Sequence, residues 1–281
     1  MIEPKIHIIT CDKTNHVLNL MIPFLDKYWN REKEVNILGF SEPDIKLPPN
    51  YNFISMRPQQ ESIDDWANDI ANVLENESDD YVIFTLDDFI PVDTLNIDVY
   101  DKVRTLIEED SNIVRCSLGI DLFVNSPHTV IENCGDYDII EQQQLSDYRI
   151  TTQPSIWKRE YLVSVLRKST NPWLFETKNK ANDGFRMIGT RNRYCYRWVE
   201  ETALSGRHPG KINVLGMKPE DIKWCIGNGI LRPEELQYGQ HVGRVPQFID
   251  YGYDFKIEVL RSFVDNITYD LYVKKYKSVY E

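Results

Sequence analysis

Two carboxylates, Asp87 and Asp88, stand side by side behind a run of six aromatic, apolar or β-branched residues, Tyr81–Leu86, and ahead of Phe89, Ile90 and Pro91. The run has no clean alternation, which suits a strand buried on both faces. Adjacent like charges raise each other's cost, and a divalent cation compensates them well. Such a pair could therefore hold a cation or ligand hydroxyls at a strand end. The plain alternative is an acidic turn in which one Asp caps the next element. A further carboxylate, Glu176, closes the stretch Asn171-Pro172-Trp173-Leu174-Phe175-Glu176. With an aromatic wall beside it, this Glu could take a proton from a hydroxyl. It is equally a first-turn Glu set favourably against the helix dipole. Arg186, Arg191, Arg193 and Arg197, interleaved with Tyr194, Tyr196 and Trp198, could grip a pyrophosphate or an anionic acceptor, or form an ordinary strand surface.

The elements that must position these groups are legible from periodicity. Residues 6–10 read as a first strand and 11–15 as a polar turn. A helix over 16–29 carries Pro23, which should kink or divide it. Strands follow at 35–40 and 53–56. Ser62-Ile63-Asp64-Asp65 has the spacing of a capping box, and Ile63, Trp66, Ala67, Ile70, Ala71 and Leu74 fall on one helical face. That helix leads into the strand before Asp87. Strand, helix, strand, strand, helix, strand is the outline of a nucleotide-binding half-sheet with parallel strands, whose C-terminal edge is where ligands sit. Beyond it, the pattern gives a helix over 98–109, a strand over Ile113–Ser117 and a helix after Trp157. Helix breakage falls at Asn171-Pro172, another strand at 194–199, a turn at Gly227-Asn228-Gly229 and helical patterns over 253–264. Residues 119–147 yield no organisation. Without repeats or a low-complexity linker, 1–281 is expected to be a single compact domain.

The chain has 281 residues, 42% hydrophobic, with 16 Tyr, 11 Phe and 6 Trp, which describes a globular protein with a sizeable core. Its net charge of −12 argues against general affinity for nucleic acid or anionic membranes, but the charge is uneven. Residues 1–150 hold 11 Lys/Arg against 29 Asp/Glu, a net of −18; residues 151–211 hold 12 against 5, a net of +7. A basic segment on an acidic chain is a candidate site for an anionic ligand, with a solvated basic face as the alternative. Five widely spaced cysteines fit free thiols in a reducing compartment. With no signal-peptide pattern and no segment near ~18 apolar residues, the expected location is cytoplasmic. The oligomeric state is not legible.

Two stretches in order, the apolar strand ending in Leu86-Asp87-Asp88-Phe89 and Gln153-Pro154-Ser155-Ile156-Trp157 followed by Pro172-Trp173-Leu174-Phe175-Glu176, carry a resemblance. Over roughly residues 5–190 the chain resembles GT-A-fold glycosyltransferases, in particular bacterial and phage members. The resemblance implies an α/β fold in which a Rossmann-like half-sheet over about 1–117 binds a nucleotide-sugar and continues into a mixed sheet. Residues from about 118 to 281 would form the acceptor side, with C-terminal helices. It implies a nucleoside-diphosphate sugar as donor, a UDP-sugar favoured, with Mn²⁺ or Mg²⁺ against the pyrophosphate. By analogy Asp88 is the metal residue, and Asp87 serves the sugar or ribose hydroxyls and assists at the metal. Leu86 stands where an Asp-x-Asp motif would place its first Asp, which bears on metal dependence. Glu176 is the implied base of an inverting transfer, with Asp183, expected at the far end of the same helix, as runner-up. Thr10, Asp12, Lys13 and Glu42 follow the first two strands, where base and ribose would lie. Arg57 could reach uracil or phosphate, and Arg191 and Arg193 the pyrophosphate or the acceptor.

The expected activity is transfer of a hexose or pentose to the hydroxyl of a cell-surface glycan. A phage enzyme glycosylating hydroxylated DNA bases is the alternative, because the basic 151–211 segment would suit DNA while the overall acidity opposes it. A nucleotidyltransferase also sets paired carboxylates at strand ends, but the chain lacks a Gly-rich loop after its first strand. A non-catalytic sugar-nucleotide-binding module is the remaining rival.

Overall fold

The computed structural model describes residues 3–59, 61–119, 127–200, 212–213, 217–232 and 236–237. Two compact units divide the chain, residues 1–198 and 199–281. In the first, β1 (Lys5–Ile9) is followed by α1 (Leu18–Tyr28), β2 (Val35–Gly39), β3 (Tyr51–Ser55), α2 (Trp66–Leu74) and β4 (Tyr81–Leu86). Then come β5 (Phe89–Pro91), α3 (Ile97–Glu109), β6 (Ile113–Ser117), β7 (His128–Asn133), β8 (Asp138–Gln142), β9 (Ser155–Lys158), α4 (Arg159–Leu166), α5 (Pro172–Lys178) and β10 (Arg186–Arg191). In the second, the described elements are the helix Pro219–Gly227 and the parallel pair Ile212–Asn213 and Leu236–Gln237.

Nine strands form one sheet in the order β3-β2-β1-β4-β9-β6-β10-β8-β7. The first four are parallel, as the alternation of strands and helices predicts. β9 enters antiparallel between β4 and β6, β10 runs parallel to β6, and β8 and β7 close the sheet as an antiparallel hairpin. The fold is thus mixed α/β, a parallel half continuing into a mixed half. Its consequence for function is geometric. The C-terminal ends of β1, β2, β4, β6 and β10 all emerge along one edge.

Amphipathic helices cover the sheet. α1 buries Leu18, Leu20, Met21, Ile22, Phe24 and Leu25, and it runs through Pro23 instead of breaking there. The missing N–H leaves the Asn19 carbonyl without its helical donor, and Asn19 lies on the solvent face, where water can serve it. Before α2, the Ser62 hydroxyl accepts from Asp64 N at 3.1 Å, closing a 3-10 turn over Ile63–Asp65. Ile63, expected on the apolar face, is therefore 41% exposed, while Trp66, Ala67, Ile70, Ala71 and Leu74 are buried as the pattern requires. Phe175 of α5 is fully buried and meets Trp66 at 5.8 Å, Phe84 at 6.2 Å and Trp157 at 6.5 Å between ring centroids. These rings join α2, α5, β4 and β9 in one core. All five cysteines are free thiols, and among the described residues no helix is long and apolar enough to cross a membrane.

Candidate active site at the carboxylate edge of the sheet

Asp87 and Asp88 leave the end of β4 almost wholly buried, 4% and 6% exposed. β4 lies beside β1 in parallel register, with Ile9 opposite Leu86, so the residue after β1 meets the residue after β4. That residue is Thr10. Its hydroxyl donates to Asp87 Oδ2 at 2.6 Å, and the Asp87 amide donates to Ile9 O at 3.0 Å. Burial pushes the Asp87 carboxyl up to about 6, against the lowering effect of hydrogen bonds from Thr10 and Thr14. Gly39 on β2 makes room for this arrangement, since a Cβ there would lie 2.9 Å from the Thr10 methyl group.

The antiparallel entry of β9 brings a second segment to the same edge. Ser155 pairs with Phe84 of β4 and with Ser117 of β6, so residues 151–153 run out past the strand end from which Asp87 and Asp88 emerge. This segment holds Glu176. Its Oε1 accepts from Thr151 Oγ1 at 3.0 Å, Thr152 N at 2.8 Å and Thr152 Oγ1 at 2.8 Å. α5 starts as the sequence predicts, with Pro172 in its first turn and the Asn171 side chain accepting from Leu174 N at 3.0 Å. Trp173, expected as an aromatic wall, is 65% exposed, and the buried aromatic of this helix is Phe175.

Asp12 accepts from Ser41 N at 3.0 Å and so ties the β1 loop to the β2 loop, while Lys13 and Glu42 are exposed in those loops. Arg57 is held by Asp69 at 2.8 Å and Asp65 at 3.1 Å. Asp183 does not share the helix of Glu176, which ends at Lys178. It accepts from Tyr161 Oη at 2.7 Å and pairs with the fully buried Arg149 at 3.4 Å. Arg191 contacts Asp138 Oδ2 through Nε at 3.1 Å and Nη2 at 2.5 Å. Arg193 contacts Asp136 at 3.0 Å and Asn96 Oδ1 at 3.0 Å. Acids of the sequence upstream of residue 151 thus face part of the basic segment. The strand expected over 194–199 begins only at Trp198, and β10, whose mixed Arg, Gly and apolar residues mask its period, lies just before it. The helical patterns at 253–264 fall outside the described residues.

Sequence reasoning missed Thr14, Thr151 and Thr152. Each is an ordinary loop threonine, and only the sheet order brings them to the carboxylates. A metal implied by the family resemblance can be weighed against the donors present. Two adjacent buried carboxylates offer the hard oxygens that Mg²⁺ or Mn²⁺ takes. Among the described residues no group of three His, Cys, Asp or Glu is placed to hold a metal ion. Such an ion therefore fits only where phosphate oxygens complete its shell.

No protein-family model matches the chain, and no curated protein sequence matches it. Similarity to solved structures is low in identity and in TM-score. Staphylococcus aureus TarS superposes at a TM-score of 0.44 with 16% identity over 70% of this chain and 36% of that chain. The galactosyltransferase LgtC, solved with donor and acceptor sugar analogues, gives 0.39 and 13% over 66% and 72%. A cytidylyltransferase from Leptospira borgpetersenii gives 0.44 and 14% over 95% and 98%. The chain thus spans only about a third of TarS, and these likenesses assign it no reaction.

Proposed function

We propose that this protein is a glycosyltransferase that moves a sugar from a nucleoside diphosphate, UDP in the first instance, to an acceptor hydroxyl with inversion. One observation carries the reading: two adjacent, buried carboxylates emerge at the ligand-binding edge of a parallel half-sheet, with one anchored by the residue that ends the first strand. A divalent cation offsets the repulsion between adjacent carboxylates, and a nucleoside diphosphate supplies phosphate oxygens that complete the shell of such an ion.

In this reading Asp88, assisted by Asp87, would hold Mg²⁺ or Mn²⁺ together with the diphosphate, and the ion would stabilise charge on the departing group. Asp87, fixed by Thr10, presents its carboxylate to ribose or sugar hydroxyls. Thr10, Asp12, Lys13 and Glu42 border the base and ribose. Glu176 takes the acceptor proton as that oxygen attacks the anomeric carbon. The bond from that carbon to phosphate oxygen breaks, and the diphosphate leaves with the electron pair. Since three donors occupy Oε1, the proton goes to Oε2. Asp183 is engaged with Arg149 and Tyr161 and serves as a brace. The acceptor is a glycan, because acids beside Arg191 and Arg193 offset the charge a DNA site would need.

The test is product analysis by mass spectrometry after incubation with UDP-, GDP- and CMP-sugars and a panel of glycan acceptors. Release of nucleoside diphosphate with a new glycosidic product of inverted configuration is expected. Release of pyrophosphate from a nucleoside triphosphate and a sugar phosphate would instead establish a nucleotidyltransferase.

A further inference from the structure

We infer that Trp198 is a stacking platform for the sugar of the bound nucleotide-sugar, set at its height by Gly119. The inference rests on the glycosyltransferase reading and adds a residue to it. Three aromatic rings, one of them on the residue that follows Asp88, meet within the first unit. Phe89, the next residue in the chain, presents its ring to Trp198 at 5.9 Å and 83°, and Tyr196 packs on Trp198 at 5.6 Å. Beneath them Gly119 follows the end of β6. A Cβ at Gly119 would lie 1.8 Å from Trp198 Cζ3, so the indole rests directly on the glycine backbone.

Backbone hydrogen bonds fix the platform from two sides. Tyr196 N donates to Leu118 O at 3.0 Å, and Val92 N donates to Arg197 O at 2.9 Å, tying the segment to the ends of β6 and β5. Phe89 and Tyr196 are buried, whereas Trp198 is only half-buried. Packing thus closes the sides of the indole and leaves part of it open. A partly open indole on an immobile support loses little freedom when it accepts a flat ligand face, and the axial C–H groups of a sugar ring make such a face.

The position selects the sugar over the base. Along the sheet edge Asp87 is anchored on the β1 side by Thr10, while Gly119 and Trp198 lie on the β6 side of β4. A ligand whose diphosphate meets the carboxylates reaches opposite ways from them, and the half-sheet beyond β1 takes the nucleoside. The other end, towards Trp198, takes the sugar.

Affinities for UDP and UDP-glucose, and for GDP and GDP-mannose, separate the outcomes when measured by titration calorimetry on wild type, Trp198→Ala, Trp198→Phe and Gly119→Ala. Trp198→Ala should weaken the nucleotide-sugar about tenfold, the size of one lost stacking contact, and leave the free nucleotide within about twofold. Trp198→Phe should retain most of the affinity. Gly119→Ala, which must lift the indole, should resemble Trp198→Ala. Equal binding of the nucleotide-sugar by wild type and Trp198→Ala would overturn the platform and leave the enzyme reading standing. An equal loss for nucleotide and nucleotide-sugar would mark Trp198 as packing only and overturn it too. If wild type bound neither sugar nucleotide, the enzyme reading would fall, and the platform with it.

Discussion

Thr10 fixes Asp87, one member of the carboxylate pair, and its effect can be measured one atom at a time. It is 5% exposed, and its hydroxyl has the buried Asp87 carboxylate as partner. Thr10→Val keeps the shape and removes the donor, so it should cost about 1–3 kcal/mol in urea unfolding, the cost of leaving a buried charged acceptor short of a partner. Two buried titratable groups, His7 within β1 and Asp87 just past the end of neighbouring β4, also predict a pH signature. Burial holds the His7 imidazole down to about 4, from an ordinary 6.5. The unfolded chain takes up that proton first, so His7 makes stability fall as pH drops across this window, by about 3 kcal/mol in all. Asp87 acts in the opposite sense. Its folded carboxyl keeps its proton up to about 6, while the unfolded chain releases it near 3.8. Stability from Asp87 is therefore present below 3.8 and lost as pH rises to about 6, again by about 3 kcal/mol. In wild type the two slopes oppose each other. Urea midpoints between about pH 4 and 6 should fall with rising pH in His7→Leu and rise with pH in Asp87→Asn. Identical profiles in the two variants would refute the assignment.

At the scale of elements, α5 is held by one buried ring. Phe175 lies among Trp66, Phe84 and Trp157, whereas Trp173 two residues earlier is largely in solvent. Phe175→Ala should cost about 3–5 kcal/mol by denaturant titration, from lost transfer energy and the cavity left behind. Trp173→Ala should change stability by less than about 0.5 kcal/mol. α5 also shows what a sequence discloses. Its start was legible because an Asn cap and a Pro are local signals, and α2 was legible because its apolar residues repeat every third or fourth position. The strand pair β7–β8 was not. β7 is largely exposed along its length, so it carries no alternation, and its pairing is long-range. The contacts of Thr151 and Thr152 with Glu176 were hidden for a similar reason, since they depend on β9 crossing between β4 and β6.

Over the whole molecule, the parallel half-sheet and the edge bearing Asp87 and Asp88 followed from apolar runs alternating with amphipathic helices. The charge reading was only partly informative. A net of +7 over residues 151–211 is a sum along the chain, and folding sets Asp138 against Arg191 and Asp136 against Arg193. Duplex DNA should therefore show no retardation at about 0.15 M salt, where unsatisfied phosphate-binding surfaces still bind. The claim on which the account rests is that the buried carboxylates meet a nucleotide through a cation. Its most direct measurement is titration of UDP into wild type and Asp88→Asn, each with Mn²⁺ and with EDTA. Wild type with Mn²⁺ should bind at least about tenfold more tightly than the other three, which should match one another, as expected when one ligand carboxylate or the ion itself is removed. Equal affinity in all four titrations would contradict the account.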